Sequence, residues 1–418
     1  MKLSKQRSND DAANKGSAIE LLVKGSLSMN FDQYTANWNY PTSIRQGVGR
    51  VIELPSICKE LGLKHPLLVT DPGLAQLPMV MDVVENCRTQ GLGCGLFSGV
   101  TSNPTQENVA DGVIAFKQGG HDGVIAFGGG SALDAAKAIA LMVGQTRPLW
   151  DFEDIGDNWT RVDADNMVPV IAVPTTSGTG SEVGRASVII DEAHEIKRII
   201  FHPAMLPSVV ILDAKLTVGL PANLTAATGM DALSHALEAY CAPYFHPMAE
   251  GIALEAIRLL KNNLLRAYSD GQDIEARVQV MTASTMGATA FQRGLGGMHA
   301  LAHPLGAIYN SHHGLLNAIL MPYVLAANRS AIETQIERLA RYIELQEISF
   351  DGLLSWILAL RADLGIPHTL AEIGISNDRA EEVGIKAVDD AASGGNPIAF
   401  NAQKYSEIFS NSVRGRLK

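Results

Sequence analysis

The sequence predicts an α/β half built on a parallel sheet, followed by an all-helical half. Three observations carry this expectation. At 418 residues the chain is longer than one core usually organises, so two domains are expected. Between residues 66 and 212, short β-branched runs alternate with stretches of helical spacing, the pattern of βαβ units and of a parallel sheet. Beyond Asp213, apolar residues recur at helical spacing with little strand signal between them.

In chain order, residues 1–30 open on MKLSKQRSNDDAANKG and lack the continuous apolar core of a secretory signal, so a poorly ordered extension is expected there. An α/β domain is expected over 31–215, with strands at 66–70, 93–97, 123–127, 168–173 and 209–212. Its helices are expected at 80–89, 106–117 and 132–143. The all-helical domain is expected over 216–418, with helices at 224–240, 247–268, 274–291 and 331–343. Gly219 and Pro221 punctuate the junction.

Composition narrows the function. A hydrophobic share of 46% with 18% charged residues fits a globular domain pair rather than a disordered or fibrous chain. The net charge of -11 argues against nucleic acid or an anionic membrane surface as partner, since either selects a basic face. No apolar run approaches the roughly 18 residues of a membrane span. Cys58, Cys87, Cys94 and Cys241 form no CxxC pair and are too sparse to staple the chain, which points to a reducing, cytoplasmic setting.

Two turns carry nucleotide chemistry. Residues 124–137 read VIAFGGGSALDAAK, a buried strand, three glycines and a helix start, where backbone amides and the helix dipole favour a pyrophosphate. A tight turn without ligand remains an equal reading of that segment alone. Residues 174–182, PTTSGTGSE, offer hydroxyls and free amides at the carboxyl end of another strand, the edge where open α/β sheets bind ligands. Asp71 closes the strand expected at 66–70 and suits an adenosine ribose, which favours NAD over NADP, although Asp-Pro-Gly is also ordinary turn punctuation.

The histidines are more informative. His299, His303, His312 and His313 fall within fifteen residues, where an even spread would place about 0.4. Asp231 and His235 stand four apart in GMDALSHALE, and His299 and His303 repeat that spacing, so each pair shares a helix face. Imidazoles with one carboxylate suit iron(II) or zinc, whereas calcium or magnesium would draw more oxygens. Spacing alone leaves open which of the clustered histidines are ligands.

Four segments, FGGGSALDAAK at 127–137, PTTSGTGSE, LDAKLTVGLPANLTAATGMDALSHALE at 212–238 and HALAHPLGAIYNSHHG at 299–314, give the chain its resemblance to the iron-containing alcohol dehydrogenases. These are relatives of glycerol dehydrogenase and dehydroquinate synthase. The resemblance runs from about Tyr40 to Pro397 and implies a dehydroquinate synthase-like fold with a metal and substrate cleft between the halves. It implies Asp231, His235, His299 and His313 as ligands of Fe(II), with zinc the alternative, and His303 as a residue for proton transfer or positioning. It places Asp71, Asn103, Gly128, Gly129, Gly130, Ser131, Thr175, Thr176, Thr179 and Lys197 along an NAD molecule. A small alcohol or aldehyde is the implied substrate, and a homodimer or higher homo-oligomer the implied assembly. The chain departs from the commoner pattern at His312, where proline often precedes the last ligand, and at Asn396-Pro397-Ile398, where many relatives carry a basic residue. Three rivals stand beside this reading. One is a hydroxyacid dehydrogenase or hydroxyacid-oxoacid transhydrogenase with Arg293 as carboxylate anchor. The others are a lyase and a non-enzymatic assembly protein.

Overall fold

The computed structural model describes residues 42–417, so the extension expected at 1–30 lies outside the described residues. Among these, six strands form one parallel sheet. In spatial order they are β1 (Ser43–Gln46), β8 (Val209–Leu212), β5 (Val170–Pro174), β4 (Gly123–Gly128), β2 (Pro66–Val69) and β3 (Gly95–Phe97). The inner strands β2, β4, β5 and β8 are buried along their whole length, as continuous apolar runs covered on both faces must be.

Alternate side chains feed two cores. Leu67, Val69, Val124, Ala126 and Ala172 pack with residues of α3 (Gln106–Gln118) and α4 (Gly130–Met142). Leu68, Ile125, Phe127 and Ile171 pack on the other face with α1 (Leu54–Glu60) and α2 (Pro78–Thr89). Helices on both faces make a doubly wound sheet. Since β3 flanks β2 on one side and β4 flanks it on the other, the winding reverses between β2 and β4, and the crevice opens at their carboxyl ends.

The second half is helical: α5 (Ala222–Cys241), α6 (Pro247–Ser269), α7 (Ile274–Ala290), α8 (Gly297–Tyr309), α9 (His313–Tyr342), α10 (Phe350–Asp363), α11 (Ala380–Asp389) and α12 (Ala402–Arg414). Every residue of α5 from Thr225 to Cys241 is buried, which makes it the central helix of the group. Helix α9 passes the length and composition test for a membrane span, yet 67% of that window is buried inside the fold.

The expected strands all form. Strand β1 and an antiparallel hairpin, β6 (Ala186–Asp191) with β7 (Ile196–Phe201), were not expected. The hairpin buries Ile189 and Ile200 against the α4 core while much of its outer side stays half-exposed, so it carries a weaker apolar signal than the sheet. The helix expected at 331–343 proves to be the last part of the 30-residue α9, whose continuity is hidden in the sequence by the internal Pro322.

Candidate active site

The crevice between β2 and β4 is floored by the glycine turn. Gly128 has φ +147, and a Cβ there would lie 2.7 Å from that of Ala132. A Cβ on Gly130 would meet Thr179 Cγ2 at 2.6 Å, so the turn lies directly against the PTTSGTGSE loop. Thr175 N–H donates to the Gly128 carbonyl at 2.9 Å, and Ser131 Oγ donates to the Ser102 carbonyl. A Cβ on Gly129 would lie 3.4 Å from the Thr176 side chain. Gly128 to Ser131 and the three threonines thus form one continuous cradle around the N-terminus of α4, suited to an anion.

Asp71 does the turn work anticipated for it: Oδ1 accepts from Gly73 N–H and Leu74 N–H, each at 2.9 Å, leaving Oδ2 for a ligand. Asn103 donates through Nδ2 to Asn310 Oδ1 at 2.7 Å, joining the nucleotide side of the crevice to the end of α8. Lys137 is buried and serves structure. Its ammonium lies 3.2 Å from Asp134 Oδ1 and donates to the Ser181 carbonyl at 3.0 Å, pinning the PTTSGTGSE loop to α4. Glu182 ends that loop buried against α7, where Thr285 Oγ1 donates to it at 2.7 Å.

On the facing wall, Asp231, His235, His299 and His313 each offer one ligand atom, all within 4.8 Å of one another. Helix α5 brings the first pair, α8 the third residue, and the first turn of α9 the fourth. Gly314 makes the last approach possible, since a Cβ there would meet the Ala227 carbonyl oxygen at 2.4 Å. The His235 and His299 rings stack at 4.7 Å, and His299 and His313 lie 5.2 Å apart. Asp231, His235 and His299 are almost fully buried, while the His313 side chain is 22% exposed and opens the cluster to the crevice. His312 stands outside it as N-cap of α9, its Nδ1 accepting from Leu315 N–H.

These side chains fit a divalent ion. His313 Nε2 faces Asp231 Oδ1 at 3.6 Å, and Nδ1 of both His235 and His313 is buried without a hydrogen-bond partner. Desolvation pushes His235 down to about 4 against the pull of Asp231. His313 is lowered by desolvation and then by the charges of Lys197 and the neighbouring imidazoles. Imidazoles gathered about a buried carboxylate, with candidate ligand atoms within 4.8 Å of one another, are a donor set suited to such a cation. His299 is raised on balance: burial opposes its charge, but Glu238, with Asp231 and Asp390 beyond it, outweighs burial.

Three residues that sequence reading left without a role complete the site. Glu238 Oε2 accepts from His299 Nδ1 at 2.7 Å. Asn317 Nδ2 lies 2.9 Å from Asp231 Oδ1 and 3.1 Å from Nε2 of both His299 and His313. Asp390 Oδ2 accepts from His303 Nδ1 at 2.8 Å. The signal for the first two was same-face spacing, seven residues after Asp231 and four after His313. Asp390 arrives from 87 residues away, beyond any local pattern.

His303 lies beside the cluster, its ring stacked on that of His313 at 5.4 Å. Lys197, on β7, reaches the same space, its ammonium 3.2 Å from the position a Gly306 Cβ would take. Desolvation lowers its pKa although Asp134, Asp231 and Asp390 favour its charge. Arg293 is not placed as the carboxylate anchor of the hydroxyacid reading. It is buried, and its guanidinium donates to the carbonyls of Ala239, Tyr240 and Tyr244, capping the end of α5.

A doubly wound sheet with an anion cradle at its switch point, facing a three-histidine, one-aspartate cluster, defines a metal-dependent oxidoreductase of the nucleotide-using kind. Comparison with known proteins agrees. The family model for iron-containing alcohol dehydrogenases matches residues 41–214, and the model of that family's C-terminal part matches 225–413. The chain is 38% identical to a 4-hydroxybutyrate dehydrogenase of Cupriavidus necator, over 90% of this chain and 99% of that one. It is 35% identical to an NAD-dependent methanol dehydrogenase of Bacillus methanolicus, over 90% and 100%. Among solved structures, 1,3-propanediol oxidoreductase superposes with a TM-score of 0.86 at 33% identity, covering 90% of this chain and all of the other. The chain belongs to the iron-containing alcohol dehydrogenase family.

Proposed function

We propose that this protein catalyses reversible hydride transfer between NAD and a small alcohol or its aldehyde, with Asp231, His235, His299 and His313 holding Fe(II), or zinc as the alternative. The convergence of those four donors beside the nucleotide cradle carries the reading: the PTTSGTGSE loop packs on α5 at Thr228, one helical turn from Asp231. Residues 31–215 act as the nucleotide domain and 216–418 as the metal domain. The setting is the cytoplasm and the assembly a homodimer.

When bound, the ion supplies Lewis acidity to the substrate oxygen and the dinucleotide accepts the hydride. The chain's own groups do the rest. The amides of Gly128, Gly129, Gly130 and Ser131 and the hydroxyls of Thr175, Thr176 and Thr179 cradle the pyrophosphate. Asp71, whose Oδ1 accepts from Gly73 N–H, would offer Oδ2 to a ribose hydroxyl, and Asn103 and Lys197 would help hold the cofactor. His303, with Nδ1 held by Asp390, takes up and returns the hydroxyl proton at Nε2.

A hydroxyacid is the second reading, favoured by the likeness to the 4-hydroxybutyrate dehydrogenase. Its carboxylate cannot rely on Arg293, which is committed to α5, and Lys197 is the cation at hand in the crevice. The test is a panel of alcohols, diols and hydroxyacids assayed with NAD on protein loaded anaerobically with Fe(II) or zinc. NADH formation selective for one class is the expected result. A flat response across the panel with both metals would refute the proposal.

A further inference from the structure

Glu238 sits on α5 in line with Asp231 and His235, so one helix face presents a carboxylate, an imidazole and a second carboxylate in succession. The side chain is buried, and three N–H groups converge on it. Oε2 accepts from His299 Nδ1 at 2.7 Å and from Gly296 N–H at 2.8 Å, and Oε1 accepts from Met298 N–H at 2.6 Å. Gly296 is the N-cap of α8 and has no side chain to satisfy the helix's first amides. Glu238 supplies that cap from another helix.

We propose that Glu238 is the positioning residue of the metal centre, fixing His299 in the tautomer that binds the ion while capping the helix that carries it. A carboxylate accepts, so the imidazole proton stays on Nδ1 and Nε2, which lies 3.1 Å from Asn317 Nδ2, keeps its lone pair for the cluster of candidate donors. With the ion bound, Asp231 would contact it directly and Glu238 would act on it through His299. The same carboxylate orients α8, so ligand geometry and helix docking are set by one group. This inference rests on the assignment of Asp231, His235, His299 and His313 as ligands.

The substitution Glu238→Gln separates the effects. An amide has a single acceptor oxygen, so at least one of the three N–H donors would face an NH2 group. Full-length protein loaded with Co(II) is mixed with excess chelator, and both the release rate and the visible spectrum of bound Co(II) are recorded. Ser349→Ala, which removes the remote N-cap of α10, controls for the loss of a cap as such. The expected result is release faster by about 10- to 100-fold in Glu238→Gln with an altered Co(II) spectrum, and within about twofold of wild type in Ser349→Ala. Wild-type release and spectrum in Glu238→Gln would overturn the inference while leaving the ligand assignment standing. A wild-type protein that retains no Co(II) would overturn both. Should Glu238→Gln fail to fold, 15N-imidazole NMR of the zinc-loaded wild type decides. A protected Nδ1 proton on His299 supports the inference, and metal bound through Nδ1 overturns it.

Discussion

His303 is held at Nδ1 by Asp390 much as His299 is held by Glu238, and the proton transfer proposed for it falls to its other ring nitrogen. Replacing it with Ala should slow turnover by about 10²- to 10⁴-fold and remove one limb of the pH-rate profile, while metal content stays at the wild-type level. Metal analysis beside the kinetics checks this, and loss of metal would assign His303 to coordination instead. Asn317, whose amide nitrogen lies within 3.1 Å of three of the four candidate donors, is expected to hold them in place: Asn317→Ala should weaken metal retention by about 10- to 100-fold, read by equilibrium dialysis. The candidate donor pairs were legible because helical spacing announces a shared face, as Asp231 with His235 shows. Spacing from His299 favours His313 over His312, although the two are adjacent. The structure separates them by giving His312 the N-cap of α9. Arg293 was misread because nothing local marks an arginine that donates to carbonyls about fifty residues upstream.

At the level of elements, the site depends on how closely α9 can lie on α5. Gly314→Ala puts a methyl group against the Ala227 carbonyl, so the helices must part. The expected cost is about 1–3 kcal/mol of stability, with a disproportionate loss of metal because His313 moves with α9. Denaturant unfolding and metal titration together test it. Removing the α5 cap by Arg293→Met should likewise cost about 1–3 kcal/mol for the carbonyls it leaves buried and unpaired, with no change in the ratio of kcat/KM between alcohols and hydroxyacids. A selective loss of hydroxyacid turnover would restore Arg293 as a substrate anchor. The hairpin that carries Lys197 is braced by Arg198, which contacts Asp191 at 2.7 Å and Glu153 at 2.6 Å. Burial works against the Asp191 carboxylate, but Arg198 and His194 hold its pKa below the ordinary range. A depressed folded pKa means this brace contributes fully above the ordinary carboxylate pKa of about 4 and is lost as pH falls through the lowered value. Limited proteolysis should therefore begin to cut 192–195 only in acid, and Arg198→Met should expose the same site at neutral pH. This hairpin escaped sequence reading because only alternate residues of β6 and one of β7 are buried, where every residue of the inner sheet strands is.

For the whole molecule, the regular α/β half was the most legible part, since four inner strands are buried on both faces and read as unbroken apolar runs. What could not be read was how distant segments meet: β1 beside β8, Asp390 beside His303, and Glu182 beside Thr285 are contacts that only the finished fold creates. The pairing of β1 with β8 also bears on the order of synthesis. Ser43 lies opposite Val209, so the first of the described strands to leave the ribosome lacks this partner until 166 further residues have emerged. At the usual 5–20 residues per second, that wait lasts about 10–30 seconds. During it the nascent chain carries an unpaired strand, and a chain cut short before Leu212 would keep one permanently, a ready template for aggregation rather than a smaller working domain.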